Sequence, residues 1–253
     1  MNHLDLFSGI GGFSLAGMHL GINTIAFCEI DEGCHPILNK IGKDIPIYRD
    51  IKEIHGDEFG HVDIITGGYP CQPFSVAGSQ KAQKDDRHLW PEMFRVIAHI
   101  RPTWVVCENV YGHVKLGLDC VLNDLESIGY TTRSFVIPSL ATGGNHRRDR
   151  VFIVAYTSGN GRNESKIARG NGQANDKCAK GTIESINNER CRSLRSELER
   201  KRYPSRRRGT KPPPLRVDDE LPRRMDRNRM IGNSVDPEIA FEILKSILLC
   251  ELS

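Results

Sequence analysis

Residues 5 to 17 read Asp-Leu-Phe-Ser-Gly-Ile-Gly-Gly-Phe-Ser-Leu-Ala-Gly, and the class of fold follows from this stretch. An apolar strand runs into glycines 9, 11 and 12, and a helix is predicted to begin there. Small residues let a ligand approach the backbone closely, and the first turn of a helix offers N–H donors. The pattern does not match G-x-G-x-x-G, so by itself it is equally compatible with a purely structural turn.

The alternation of strand and helix continues along the first 155 residues. Candidate strands cover 4–7, 24–30, 46–51, 62–68, 104–110, 134–138 and 151–156, and candidate helices cover 12–20, 32–41, 90–100 and 116–128. This rhythm predicts an α/β fold with a doubly wound, mostly parallel sheet and helices on both faces. In such sheets, ligands bind at the carboxyl ends of the strands.

Composition excludes several classes of protein. The N-terminus lacks a basic start followed by an apolar run, so no secretory signal is expected. The longest apolar stretch near the C-terminus is short and interrupted by charge, which argues against a membrane span. The eight cysteines are scattered, with no C-x-x-C pair and no zinc-type spacing. A cytoplasmic protein with reduced thiols and no metal is therefore expected.

Charge is distributed unevenly around a net value of +3. Residues 156–229 carry 20 Lys and Arg against 10 Asp and Glu, a balance of +10, whereas the remainder carries 15 against 22, a balance of −7. A basic segment on an acidic body indicates either a polyanionic partner or a solvated, charged insertion, and charge alone does not separate the two. Residues 158–208 lack periodicity and are predicted to form loops, whereas 236–252 predict a helix that returns to the main domain.

Acidic residues lie at the ends of two of the predicted strands. Glu29 comes about twenty residues after the glycines and could accept hydrogen bonds from ribose hydroxyls. Asp50 lies at the end of the third predicted strand and could accept one from an adenine amino group. Together with the glycine turn, these strand ends suit a ligand that contains adenosine.

The fourth strand leads into residues 67–75, Gly-Gly-Tyr-Pro-Cys-Gln-Pro-Phe-Ser. A lone cysteine is ordinarily a small, inert core residue. Here Pro70 and Pro73 restrict the backbone around Cys71, and a fixed thiol at the carboxyl edge of a sheet is a candidate nucleophile. Glu108 and Asn109 end the fifth strand, where a carboxyl could protonate the group under attack or could serve only as a cap or ion pair.

These stretches, with Glu-Asn-Val at 108–110, His-Arg-Arg-Asp-Arg-Val-Phe-Ile-Val-Ala at 146–155 and Gly-Asn-Ser-Val at 232–235, occur in the order and spacing of the DNA (cytosine-5) methyltransferase family. The chain resembles a small bacterial or phage-like member over about 3–155 and 221–250. The resemblance implies a class I, Rossmann-like fold that uses S-adenosylmethionine. It also implies a catalytic domain at 1–156, a short, irregular, basic target-recognition region at 157–220 and a C-terminal segment at 221–253.

The resemblance assigns roles residue by residue. Cys71 would attack C6 of a flipped-out cytosine, with Glu108, Arg148 and Arg150 as the other catalytic residues. Residues 75–90 look like the family's mobile catalytic loop. The implied cofactor contacts are Phe7, Ser8, Gly9, Gly11, Gly12, Glu29, Ile30, Asp50, Ile51, Pro70, Asn233 and Ser234. The implied substrate contacts are Gln72, Ser75, Arg87, Asn109, Arg206, Arg207 and Arg208, the last three of which suit phosphate neutralisation rather than base reading.

The implied reaction is methylation of C5 of cytosine in a specific short sequence of double-stranded DNA, in a restriction–modification or phage setting. A monomer is expected, with no membrane partner, and a restriction–modification setting would add a cognate restriction endonuclease as a partner. His146 and Asn145 depart from the glutamine and proline usual in the family. Two alternatives stay open: an RNA cytosine-5 methyltransferase, and a catalytically silent DNA-binding module, against which the intact Cys71, Glu108 and Arg150 argue.

Overall fold

The computed structural model describes residues 1–70, 89–138, 149–158, 188–204 and 234–252. Within these residues one sheet has seven strands, in the order β3-β2-β1-β4-β5-β7-β6. The strands are β1 (Asn2–Leu6), β2 (Asn23–Cys28), β3 (Ile47–Tyr48), β4 (Ile64–Gly67), β5 (Trp104–Val110), β6 (Thr131–Pro138) and β7 (Asp149–Tyr156). Strands β1 to β5 pair in parallel, and β7 runs antiparallel between β5 and β6. The predicted mostly parallel sheet is confirmed.

Helices cover both faces of this sheet. They are α1 (Gly12–Leu20), α2 (His35–Ile41), α3 (Trp90–Ile100), α4 (His113–Leu116), α5 (Leu118–Ser127), α6 (Asn188–Arg200) and α7 (Pro237–Glu251), with a 3₁₀ turn at Ile51–Glu53. Helices α3 and α5 pack on the face that carries Leu4 and Leu6, whereas α1 and α7 pack on the face that carries Ile64 and Val106. Because alternate strand residues point to opposite faces, each face builds its own apolar core. The doubly wound arrangement predicted from the sequence is therefore also confirmed.

The third strand is shorter than the sequence predicts. Only Ile47 and Tyr48 pair with β2, whereas the prediction covered 46–51. The chain leaves the sheet because the Asp50 side chain accepts a hydrogen bond from the Lys52 amide at 3.0 Å and caps the 3₁₀ turn. A local side-chain cap competes here with strand pairing.

The prediction of loops across 158–208 is wrong for 188–200, which form α6. This helix is held by tertiary contacts with α7. The buried amine of Lys245 donates hydrogen bonds to the carbonyls of Glu199 and Lys201, each at 3.1 Å. Beyond the helix, the ring of Tyr203 packs edge-on against Phe241, with centroids 5.7 Å apart. A polar helix with so thin an apolar stripe gives little periodic signal in the sequence.

The C-terminal helix starts where the sequence predicts. Asp236 accepts a hydrogen bond from the Glu238 amide at 3.0 Å, and Pro237 occupies the first turn, where its missing N–H costs nothing. The helix packs along α1, so residues 236–252 return to the main domain, as expected. Among the described helices, none combines the length and the apolar character needed to cross a membrane.

Replacing Lys245 with methionine should release α6 from α7. Methionine retains most of the buried volume but leaves two carbonyls without their donor, so we expect a loss of about 1–3 kcal/mol in the free energy of unfolding. Amide hydrogen exchange over residues 195–204 should accelerate. The neighbouring exposed variant Ser246→Ala serves as the control, and unchanged exchange in Lys245→Met would show that the amine does not hold the helix.

Candidate active site

The carboxyl ends of the parallel strands meet at one edge of the sheet. Leu6 of β1 is in register with Cys28 of β2 and Gly67 of β4, and Gly67 is in register with Cys107 of β5. The residues that follow these positions therefore share that edge. They are Phe7, Glu29, Gly68 and Glu108, which come from four separate stretches of sequence.

The glycine turn after β1 is wound tightly. Phe7 and Gly9 have φ values of 52° and 55°, and Gly11 has a φ of 79°. Ser8 fixes the turn from within, because its hydroxyl donates to the Asp5 carbonyl at 2.6 Å and accepts from the Cys28 amide at 3.2 Å. A Cβ added at Gly9 would meet nothing within 4 Å. The turn thus presents backbone to an open space, which is the arrangement a cofactor requires.

Glu29 is bound directly to this turn. One carboxylate oxygen accepts a hydrogen bond from the Gly9 amide at 2.7 Å, and the other accepts one from the Asp31 amide at 2.8 Å. These bonds fix the carboxylate beside the open space, where its remaining lone pairs suit the hydroxyls of a ribose.

The neighbouring positions differ in exposure. The Ile30 residue is 64% exposed and presents an apolar surface next to Glu29. Ile51 is instead buried in the core, and its carbonyl accepts a hydrogen bond from Arg95 at 2.9 Å. Ile51 therefore supports the turn that carries Asp50, while Ile30 offers the apolar surface.

The backbone that leads to Cys71 is held at Tyr69. The Asn109 amide donates a hydrogen bond to the Tyr69 carbonyl at 3.1 Å, and the Tyr69 hydroxyl is hydrogen-bonded to His113 Nε2 at 2.8 Å. Both bonds are buried, and Pro70 follows immediately. Tyr69 and His113 were not among the residues singled out from the sequence. The sequence signal for this pair was a histidine, His113, in the segment that follows Glu-Asn-Val at the end of β5.

Glu108 and Arg150 form a buried ion pair on adjacent strands. Arg150 Nε lies 2.7 Å from Glu108 Oε1, with side-chain exposures of 17% and 7%. Because β7 runs antiparallel to β5, Arg150 lies opposite Val110 and its side chain reaches back to Glu108. A Cβ added at Gly68 would lie 3.3 Å from Glu108 Oε2. The carboxyl group thus lies against the backbone three residues before Cys71.

The C-terminal segment completes this edge. A Cβ added at Gly12 would lie only 2.6 Å from the Val235 carbonyl oxygen, and one at Gly68 would lie 3.9 Å from Val235 Cγ2. Val235, and with it Ser234, therefore lies beside both the glycine turn and the strand end that leads to Cys71. The absence of a side chain at Gly12 permits this approach.

Several predicted site residues lie outside the part of the chain that the structure describes. These are Cys71, Gln72, Ser75, Arg87, Arg148, Arg206, Arg207, Arg208 and Asn233, together with the departures Asn145 and His146. The residues brought together at the described edge are Phe7, Ser8, Gly9, Gly11, Gly12, Glu29, Ile30, Asp50, Pro70, Glu108, Asn109, Arg150 and Ser234.

Two of the other cysteines belong to the core. Burial raises the pKa of the Cys107 thiol, and burial with help from Glu29 raises that of Cys28 to about 12. Both thiols therefore stay protonated and unreactive at neutral pH. Across the described ranges, no group of three or more His, Cys, Asp or Glu side chains is arranged to hold a metal ion.

Comparison with known proteins points to the same family as the sequence motifs do. A family model described as C-5 cytosine-specific DNA methylase matches residues 1–214. The Type II methyltransferase M.AplI of Arthrospira platensis is 35% identical over 156 residues, which cover 60% of this chain and 45% of that protein. M.HgiBI of Herpetosiphon aurantiacus is 32% identical over 157 residues, which cover 60% and 36%. The chain thus spans less than half the length of either relative.

Among solved structures, the S. pombe Dnmt2 methyltransferase superposes with a TM-score of 0.54 at 21% identity, covering 62% of this chain and 51% of that one. This match shows that the two chains share a fold.

Substituting alanine for Gly12 should disturb the contact between α1 and the C-terminal segment. The added methyl group would overlap the Val235 carbonyl, so we expect a loss of about 1–3 kcal/mol in the free energy of unfolding. We also expect faster proteolysis near residues 230–236. Gly60→Ala is the matched control, because a Cβ there meets nothing within 4 Å. Equal stability of the two variants would contradict the close approach of Val235.

Proposed function

The chain belongs to the C-5 cytosine-specific DNA methylase family, and from this premise we propose that it transfers a methyl group from S-adenosylmethionine to C5 of cytosine in double-stranded DNA. The observation that carries the proposal is the buried Glu108–Arg150 pair, which lies against Gly68 on the strand end that leads to Cys71. The likeness to Type II methyltransferases favours methylation of one short sequence in a restriction–modification setting, with a cognate endonuclease as partner.

The residues of the glycine turn fit S-adenosylmethionine. Open space beside Gly9 would admit the ligand, Glu29 would bind the ribose hydroxyls, and Asp50 would accept from the adenine amino group. The exposed side chain of Ile30 would cover one face of the adenine. When bound, S-adenosylmethionine supplies an electrophilic methyl group attached to a sulfonium.

Cys71 makes cytosine reactive at C5. Attack of its thiolate on C6 forms a carbon–sulfur bond and shifts the ring electrons toward C5, which can then accept the methyl group. Loss of the C5 proton to a base and departure of the thiolate restore the ring. The attacked face is stacked inside a duplex, so the base must first be flipped out.

Glu108 and Arg150 would bind the polar edge of the flipped cytosine. Glu108, once protonated, would donate its proton to N3 and stabilise the ring while the thiolate adds to C6, as a general acid does. Arg150 would donate to O2, with Arg148 beside it, and its ion pair holds the Glu108 carboxyl in place before the base arrives. Preorganised groups of this kind act where charge develops in the transition state.

The hydrogen bond from Asn109 to Tyr69 positions the nucleophile. The bond fixes the Tyr69 carbonyl, and Pro70 fixes its own φ and restricts Tyr69, so the backbone just before Cys71 has little freedom. Restricting the nucleophile in this way lowers the entropic cost of attack. Gln72, Ser75 and Arg87 would contact DNA beyond this point, and the arginines at 206–208 would neutralise phosphates.

The proposal is tested by transfer of labelled methyl groups from S-adenosylmethionine to unmethylated genomic DNA, followed by base analysis and bisulfite sequencing. We expect label only in 5-methylcytosine and within one short sequence. Cys71→Ser should abolish transfer, whereas Cys120→Ser, at an exposed thiol, should leave it unchanged. Transfer to RNA but not to DNA would overturn the choice of substrate, and full activity of Cys71→Ser would overturn the nucleophile.

Replacing Glu108 with glutamine should reduce turnover much more than cofactor binding. Glutamine preserves the size of the side chain but removes the acid and the ion pair, so we expect kcat to fall by about 10²–10⁴. The dissociation constant for S-adenosylhomocysteine should stay within about threefold, since Glu108 belongs to β5 and not to the glycine turn. Glu242→Gln, on the exposed face of α7, is the control. Equal losses of turnover and cofactor affinity would indicate a structural role instead.

A further inference from the structure

Five polar side chains form a closed ring in the interior beneath the glycine turn. His3 Nε2 lies 2.7 Å from Thr66 Oγ1, Thr66 Oγ1 lies 3.0 Å from Asp5 Oδ1, and Ser14 donates to Asp5 Oδ2 at 2.5 Å. Thr24 Oγ1 lies 3.3 Å from Ser14 Oγ, and His3 Nδ1 lies 3.0 Å from Thr24 Oγ1, which closes the ring. Apart from Thr24, which is partly buried, each member is at most 1% exposed.

The ring joins the elements that frame the proposed cofactor site. His3 and Asp5 belong to β1, Thr24 to β2, Thr66 to β4 and Ser14 to the first turn of α1. Asp5 also reaches the glycine turn through its backbone, because its carbonyl accepts the Ser8 hydroxyl. A change in the hydrogen bonds of the ring would therefore shift β1, β2, β4 and α1, which are the elements that hold the glycine turn.

Counting hydrogens shows that the ring needs an additional proton. Each of its five contacts requires one hydrogen. A neutral histidine and three hydroxyls supply four, and an ionised carboxylate supplies none. The fifth must come either from a protonated Asp5 or from a second N–H on a charged His3. Without it, one contact must open, and the 3.3 Å contact between Thr24 and Ser14 is the longest.

We propose that the ring holds this fifth proton on Asp5 in mildly acidic solution, and that the proton keeps the glycine turn in its cofactor-binding form. Asp5 and His3 are then both neutral, and every member of the ring donates one hydrogen and accepts one. The positioning role rests on the proposed function, whereas the proton count does not.

Burial of the two titratable members favours this distribution. Burial raises the pKa of Asp5 from 3.8 to about 7. Its hydrogen bonds with Ser14 and Thr66 oppose this rise, and the charge of Glu29 beyond the end of β2 adds to it. Burial lowers the pKa of His3 from 6.5 to about 3. Cys28 at the end of β2 stays a neutral thiol, because its pKa is raised to about 12. His19 of α1 is exposed, and the amine of Lys245 on α7 is bound to carbonyls at the end of α6, so neither faces the ring.

The raised pKa of Asp5 determines how stability and cofactor binding change with pH. Between about pH 4 and 7 the folded protein binds more protons at Asp5 than the unfolded chain does, so this residue's contribution to stability falls as the pH rises. Above about pH 7 the contribution is constant, but the folded protein loses the ring proton. Cofactor binding should therefore weaken above pH 7, by up to tenfold per pH unit if only the protonated ring binds.

The test compares the wild type with Asp5→Asn, whose amide supplies the missing hydrogen at every pH. Relative to this variant, the wild type should lose melting temperature as the pH rises from 4 to 7. S-adenosylhomocysteine should bind the wild type about tenfold more weakly at pH 8.5 than at pH 7.5, and Asp5→Asn equally at both. Asp44→Asn, at an exposed carboxylate, is the charge-matched control and should follow the wild type.

Each part of the proposal can fail separately. If the difference in melting temperature between the wild type and Asp5→Asn stays constant from pH 4 to pH 7, Asp5 does not hold the fifth proton and the proposal is overturned. If that difference follows the expectation but affinity does not change with pH, the positioning role is overturned. If S-adenosylhomocysteine binds neither protein at any pH, the proposed function fails, while the melting temperatures still decide the proton count.

A measurement on the wild type covers the case in which Asp5→Asn does not fold. Nitrogen-15 NMR of His3 should show a neutral ring in one tautomer from pH 5 to 8. A doubly protonated His3 at pH 6.5 would place the fifth proton on the histidine and overturn the proposal.

Discussion

The hydrogen bond from Asn109 to the Tyr69 carbonyl ties the end of β5 to the end of β4, and the arrangement of the candidate site depends on it. On one side of this bond the chain continues through Pro70 to Cys71. On the other, Glu108 precedes Asn109 and is held by Arg150. Since the two strands are parallel and in register, this bond fixes the backbone two residues before Cys71 relative to the end of β5 that carries Glu108. The Tyr69–His113 hydrogen bond anchors the same residue a second time.

The sequence was sufficient for the features that local chemistry determines. Apolar runs bounded by glycine and proline predicted β5 and helices α1 and α3 at their observed bounds, and Asp236-Pro237 predicted the start of α7. Predictions failed at one position where a local side-chain cap competes with strand pairing, and at another where a distant contact stabilises a helix. The third strand ends early at a side-chain cap on Asp50, and α6 is stabilised by Lys245, far away in sequence. Neither the His113 bond nor the five-residue ring has a periodic signal, because each joins residues from separate strands and helices.

The two halves of the candidate site have different physical supports. The glycine turn is wound over a polar interior, in which Asp5, His3, Ser14, Thr24 and Thr66 bond to one another beneath the backbone. The edge that leads to Cys71 is held by Asn109 and an aromatic cluster of Tyr69, Trp90 and His113. Val235 lies beside both halves, against Gly12 and Gly68. A small sheet edge thus brings together two separately stabilised surfaces, which the proposed function assigns to the cofactor and to the flipped base.

The most direct measurement is capture of the covalent link between Cys71 and cytosine. A duplex pool in which 5-fluorocytosine replaces cytosine lacks the C5 proton whose loss lets the thiolate depart, so a Cys71–C6 bond should persist after methyl transfer. With S-adenosylmethionine present, peptide mass spectrometry should find the nucleotide on the peptide that contains Cys71, and Cys71→Ser should form no adduct. An adduct on another cysteine, or none from a protein that methylates ordinary DNA, would contradict Cys71 as the nucleophile.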